Sequence, residues 1–166
     1  AGVRPPTGGK GPAGGRPQRA RLEAMPVRNR RAAALPAKLS RSWLLVNAAP
    51  PDAFAPALAS EADSVIFDLE AAVPEEQKDA ARRHVVDALS GGMTAWVRIS
   101  ATSTDHWQRD LEALAGLDGV RGVVLAETEE PEQVTFTAMR LRAGTPVIAL
   151  LESALGLSLI HISEPT

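Results

Sequence analysis

An arginine and several carboxylates stand at or just after short apolar runs, where parallel α/β folds gather their ligands. Asp68 and Glu70 close the run SVIFDLE (64–70), and Arg98 lies inside AWVRI (95–99). Glu127 and Glu129 follow GVVLA (122–126), and Glu152 closes PVIALLE (146–152), with Ser153 next. A carboxylate straight after VIALL is costly to bury unless it is paired or bound to metal, and Arg98 poses the same problem with the opposite sign. Two structural accounts exist: an internal Arg98–Glu152 ion pair, or strand ends that surface into water. The chemical account is a hard-cation site. Acidic oxygens at adjacent strand ends suit Mg²⁺, which takes one or two carboxylates, waters and substrate oxygens. A nearby arginine would then bind a substrate carboxylate or steady an enolate oxygen.

Other chemistries find less support. The sequence has no cysteine, which removes disulfides, thiolate metal sites and a cysteine nucleophile. His84 lies within a helical pattern beside Arg83, and His106 lies at a helix start beside Trp107; neither has a partner at metal-ligand spacing. Ser42, Ser100 and Ser153 lack the strand-turn-helix context of a nucleophile elbow.

The elements that must hold these residues alternate along the chain. Five apolar runs begin near 43, 64, 95, 122 and 146, each short, rich in Val, Ile and Leu, and not strictly alternating. Strands covered on both faces of a parallel sheet read this way. Helical patterns fill the gaps. Pro74 suits a first helical position with Glu75 and Glu76 in the first turn, and Ala81, Val85 and Leu89 recur on one face. Trp107, Leu111 and Leu114 form a second stripe. Pro131 opens a third helix with a stripe of Val134, Ala138 and Leu141, stopped by Gly144. The stretch DAFAPALAS is a weaker helix, interrupted by Pro56. Strands alternating with helices imply a parallel α/β sheet. Spacing leaves two architectures: an open doubly wound sheet, or part of an eight-stranded barrel. The absence of G-x-G-x-x-G after the first run counts against a dinucleotide fold.

The ends read differently. Residues 1–42 hold ten Lys/Arg and a single acid, Glu23, so the formal charge of -2 hides an acidic body. The start, rich in Gly, Pro and Arg with no apolar period, is expected to be a disordered leader over 1–40, with Met25 a candidate initiator. The last ten residues, LSLIHISEPT (157–166), read as the translation of a sequencing adapter, so His161 and Glu164 are kept out of any site. No signal peptide or membrane-length apolar run is evident. We expect a cytoplasmic protein that binds neither nucleic acid nor membrane.

In order, RSWLLVNAAPPDAF, ASEADSVIFDLEAAVPEEQKDAAR, WVRIS, GVVLAETEEPEQV and TPVIALLESALG resemble the citrate lyase beta-subunit-like group of the HpcH/HpaI aldolase family. The D-L-E block followed by V-P-E-E-x-K-D-A-A-R, and the final E-[ST]-A-x-G block, carry most of this. The resemblance covers 41–156 and implies the first five strands of a (β/α)₈ TIM barrel of the phosphoenolpyruvate/pyruvate type, commonly oligomeric. It implies a Mg²⁺-dependent carbon–carbon lyase that splits a carboxylated 3-hydroxyacyl-CoA, of malyl, citramalyl or citryl type, into an acyl-CoA and a 2-oxo acid. By that resemblance Arg98 binds substrate and steadies the developing enolate. Glu152 ligates Mg²⁺ and lies against the substrate, and Asp68 and Glu70 lie near the metal's water shell. The second metal aspartate belongs to a strand beyond Gly156, so the 166-residue chain is expected to be inactive and its parent a homo-oligomer. The sequence departs from the family pattern at Ala71, Glu127 and Ser100, where aspartate, lysine and asparagine are usual, and at Val46-Asn47-Ala48 and Pro50. A pyruvate aldolase acting on free hydroxy-oxo acids, or a catalytically silent ligand-binding relative, are the alternatives.

Overall fold

The computed structural model describes residues 35–158. Of the expected leader over 1–40, residues 1–34, including Met25, lie outside the described residues, as do residues 159–166 of the tail over 157–166, with His161 and Glu164.

The apolar runs become five strands: β1 (Trp43–Asn47), β2 (Ser64–Asp68), β3 (Ala95–Ile99), β4 (Val120–Leu125) and β5 (Val147–Ala149). They pair in parallel in the order β1-β2-β3-β4-β5. This monotonic order decides between the two architectures left open by spacing. A doubly wound sheet reverses its strand order at a switch point, whereas a barrel adds each strand beside the last.

Burial on both faces holds for β2 and β3, in which all five residues are buried. It does not hold for β1 and β5, which each pair on one side only among the described residues. Leu44 and Leu45 of β1 are accordingly 36% and 44% exposed.

The helices are α1 (Phe54–Leu58), α2 (Lys78–Ser90), α3 (Asp105–Leu114), α4 (Pro131–Arg140) and α5 (Ala154–Ser158). Ala81, Val85 and Leu89 of α2 and Leu111 and Leu114 of α3 are buried, as their periods predict. Pro56 does not interrupt α1. It is the third residue of that helix, in the first turn, where the missing N–H has no intrahelical acceptor to lose. Pro74 precedes a 3₁₀ turn, Glu75–Gln77, rather than opening the α-helix itself. On α4 the expected stripe is displaced: Thr137 is fully buried and Ala138 is exposed. The Thr137 hydroxyl accepts the Trp107 indole N–H at 3.1 Å, so a polar residue is satisfied in the buried position. Gly144, at φ 85°, shapes the turn into β5, because α4 has already ended at Arg140.

Alternation splits the sheet's side chains between two layers. Val65, Phe67, Val97, Ile99, Val123 and Leu125 join the helices in the main core. Ile66, Trp96 and Val124 pack on the opposite face with Ala37, Trp43, Ile148 and Leu150. Trp96 fits there because Gly122 on the neighbouring strand has no side chain: a Cβ at Gly122 would stand 2.2 Å from the indole ring. Trp43 meets the same indole edge-on, with ring centroids 5.2 Å apart. Residues 35–40 close the N-terminal end of this layer. Arg121 donates to the Leu35 carbonyl at 2.5 Å, and the Ser40 and Ser64 hydroxyls lie 2.9 Å apart.

Candidate active site

Asp68 is the last residue of β2, and Arg98 lies directly across from it on β3. Their side chains share the face that carries Ile66 and Trp96. Register alone therefore brings a carboxylate and a guanidinium together at the C-terminal rim of the sheet. The contact is a two-pronged fork: Arg98 Nε donates to Asp68 Oδ1 and Nη2 to Oδ2, both at 2.7 Å. Each Asp68 oxygen accepts a second bond, Oδ1 from the Glu70 amide at 2.9 Å and Oδ2 from the Ala72 amide at 3.0 Å. Four N–H donors thus converge on one fully buried carboxylate.

The electrostatics follow from this arrangement. Burial pushes the Asp68 carboxyl up, but the Arg98 bonds, the Glu70 and Ala72 amides and the Arg98 charge outweigh it and hold it below the ordinary aspartate value. The Asp68 hydrogen bonds raise the Arg98 pKa against the opposing effect of burial, with smaller help from the charges of Asp68, Glu70 and Glu152. A permanent positive charge therefore sits 8% exposed at the rim. The partner of Arg98 is Asp68, not the Glu152 that an internal-pair reading of the sequence suggests. Glu70 Oε2 lies 3.5 Å from Nη2. Among the described residues Nη1 has no protein acceptor, so its N–H groups are open to a ligand.

Glu152 stands three residues beyond the end of β5, exposed in the loop before α5. Its Oε2 accepts the Glu127 amide at 3.2 Å. Glu127 adopts φ 46°, the left-handed region that a residue with a Cβ enters only at a cost. This strained residue is the one that reaches Glu152, which places the local backbone outlier at the candidate site. Glu129 does not join Arg98. It accepts the Ser153 hydroxyl at 2.6 Å, while Ser153 Oγ accepts the Gly156 amide at 3.0 Å. Ser153 therefore caps α5 and is tied to the loop after β4.

Glu152 is the kind of hard oxygen donor that Mg²⁺ takes, and one carboxylate with waters and substrate oxygens fits that ion's habits. Asp68 does not offer itself in the same way, since both its oxygens are already held by four N–H groups. Among the described residues no group of three His, Cys, Asp or Glu is arranged to hold a metal ion.

Sequence reasoning missed a second buried acid. Asp110 on α3 is fully buried; its Oδ1 accepts Arg82 Nε at 2.9 Å, and its Oδ2 accepts the Ser100 amide at 3.0 Å. Arg82 reaches on to Asp79 at 2.5 Å and to His106 Nδ1 at 3.2 Å, and His106 Nε2 lies 2.7 Å from Glu75. A guanidinium only donates, so Nδ1 is the acceptor and Nε2–H faces the carboxylate. The signal was present: Asp110 lies three residues after Trp107 and four before Leu114, inside the apolar stripe, where an acid needs a partner. His84, the other histidine considered, has its Nδ1 3.4 Å from the Ala48 carbonyl.

A parallel, sequentially ordered α/β sheet with a charged rim at its C-terminal end defines a class of TIM-barrel proteins, and comparison narrows it. Residues 41–162 match the HpcH/HpaI aldolase/citrate lyase family, to which the chain belongs. The chain is 44% identical over 114 residues, 69% of its length, to a citrate lyase subunit beta-like protein of Mycobacterium tuberculosis. It spans only 39% of that relative. The structure of CitE from the same organism with magnesium, acetoacetate and coenzyme A matches with a TM-score of 0.62 and 38% identity, over 73% of this chain and 43% of that one. The citrate lyase beta subunit of M. tuberculosis with oxaloacetate and magnesium matches at 0.63 and 38%, over 77% and 52%. The five strands thus correspond to part of the CitE barrel. No helix among the described residues is long and apolar enough to cross a membrane.

Proposed function

We propose that this chain is the front part of a Mg²⁺-dependent carbon–carbon lyase that splits a carboxylated 3-hydroxyacyl-CoA, of malyl, citramalyl or citryl type, into an acyl-CoA and a 2-oxo acid. The observation that carries the reading is Arg98: nearly buried, held charged by Asp68, and with Nη1 left over. Such a guanidinium is oriented before any ligand arrives and takes a carboxylate or developing oxyanion without reorganising. Glu152, on the loop after β5, supplies the carboxylate that would hold Mg²⁺. A bound Mg²⁺ supplies Lewis-acid polarisation of the oxo-acid oxygen. Asp68 keeps the guanidinium plane fixed, and Glu70 adds negative charge beside it. The magnesium, coenzyme A, acetoacetate and oxaloacetate bound by the M. tuberculosis relatives support the same chemical class.

The test is an assay of the protein extended through the strands its relatives possess, with Mg²⁺ and malyl- or citramalyl-CoA. Turnover is expected, and Arg98→Ala is expected to abolish it while leaving the circular dichroism unchanged. Folded, metal-supplied protein that cleaves no such thioester would sink the proposal. The 166-residue chain alone is expected to show no turnover, because among the described residues no group of three His, Cys, Asp or Glu is arranged to hold the metal ion; lyase activity from this chain would contradict that.

A further inference from the structure

Helix α2 carries two cations one turn apart, Lys78 and Arg82, on the same side of the helix. Each reaches the exit of a different strand. Lys78 Nζ donates to the carbonyls of Leu69 and Glu70 at 2.9 and 2.8 Å, in the loop that leaves β2. Arg82 reaches the exit of β3 through Asp110, whose second oxygen holds the Ser100 amide. Neither cation touches Asp68 or Arg98.

We infer that α2 is a positioning element, in which Lys78 and Arg82 clamp the exits of β2 and β3 so that the Arg98 guanidinium is held in one orientation. This rests on the proposed role of Arg98. The loop after β2 turns back so that its Glu70 and Ala72 amides point into the Asp68 carboxylate. Amides aim only as well as the peptide planes that carry them, and Lys78 fixes two carbonyls of that loop, Leu69 and Glu70. Asn47 secures the far side, donating to the Ala72 carbonyl at 2.5 Å. The Asp68 carboxylate, so fixed, sets the plane of the Arg98 fork. On the other strand the Ser100 amide, two residues past Arg98, is tied by Asp110 to Arg82. Freed from Lys78, the β2 loop would rotate its amides away from Asp68, and the Arg98 fork would lose its rigid partner. This role also accounts for the spacing of the two cations in KDAAR (78–82), which surface solubility alone does not require.

The experiment is hydrogen exchange by NMR on the full 166-residue chain, following the Arg98 Nε–H together with the backbone amides. No substrate is added, so the result stands apart from whether the protein is a lyase. In Lys78→Met the Arg98 Nε–H and the Glu70 and Ala72 amides are expected to exchange roughly tenfold faster, while Val97 and Val123 keep their rates, the pattern of a local opening. Arg82→Met is expected to speed the Ser100 amide and the Arg98 Nε–H in the same selective way. Lys78→Arg, which retains the charge and the donors, is expected to restore protection. Unchanged Arg98 exchange in both Met variants would overturn the inference, as would acceleration that merely follows the core amides. Should either Met variant fail to fold, Lys78→Gln and Asp110→Asn are read by the same criteria.

Discussion

Replacing Asp68 by asparagine isolates the central ion pair, since size is preserved while charge and one acceptor are lost. The native carboxylate accepts four bonds, from Arg98 Nε, Arg98 Nη2 and the amides of Glu70 and Ala72. An asparagine has one acceptor oxygen, so it serves two of these donors and turns its own N–H₂ toward the other two. Removing one member of a buried pair costs about 3–5 kcal/mol, because the remaining charge stays out of water without a partner. The side chains of Asp68 and Arg98 are 0% and 10% exposed, so solvent screens little of this. We expect Asp68→Asn to lower the urea unfolding free energy by about 3 kcal/mol at neutral pH, toward the low end because one oxygen remains. The double variant Asp68→Asn/Arg98→Met should recover part of the loss, since it removes the stranded charge. A loss below about 1 kcal/mol, the range of a surface pair, or strictly additive single and double effects, would refute the reasoning that this pair is buried and coupled.

Acid should act on the same bond. The folded Asp68 carboxyl lies below its unfolded value, so its contribution is full above the unfolded pKa of about 3.9 and is lost as pH falls through the folded value. Urea unfolding followed downward from pH 5 should therefore show a shallower loss of stability with falling pH in Asp68→Asn; identical slopes would contradict the assignment. Asp110→Ala should cost about 1–3 kcal/mol in the same assay, since it leaves Arg82 Nε and the Ser100 amide without their buried acceptor while Asp79 still pairs the guanidinium, and a neutral outcome would mean that α3 contributes packing only. Gly122→Ala places a methyl group within 2.2 to 2.6 Å of three Trp96 ring atoms. It should cost about 1–3 kcal/mol and shift the indole emission, whereas unaltered fluorescence and melting would disprove the close seating of Trp96 on β4.

Periodicity and residue type alone determined a good deal. The five strands and the helices between them follow from runs such as SVIFD and AWVRI and from stripes such as Ala81, Val85 and Leu89, because local pattern and burial agree there. Arg98 and the acids at the rim also stood out in sequence, since charge beside an apolar run needs an explanation. The family could be read from ordered blocks, and the match over 41–162 supports that reading.

The tertiary structure alone decided which charges meet. Asp68 and Arg98 are thirty residues apart and face each other because β2 and β3 align in one particular register, which no local pattern encodes. Glu152, a natural partner for Arg98 by spacing, lies instead in an exposed loop and holds the Glu127 amide. Lys78 and Arg82 read as ordinary helix-surface cations, and Asp110 as an intrusion in an apolar stripe, until chain folding brings strand exits beneath them. Sequence fixes residue type and period, which act over a few neighbours. Pairing across a sheet is set by the whole packed core, and so the partners of Arg98 became visible only in three dimensions.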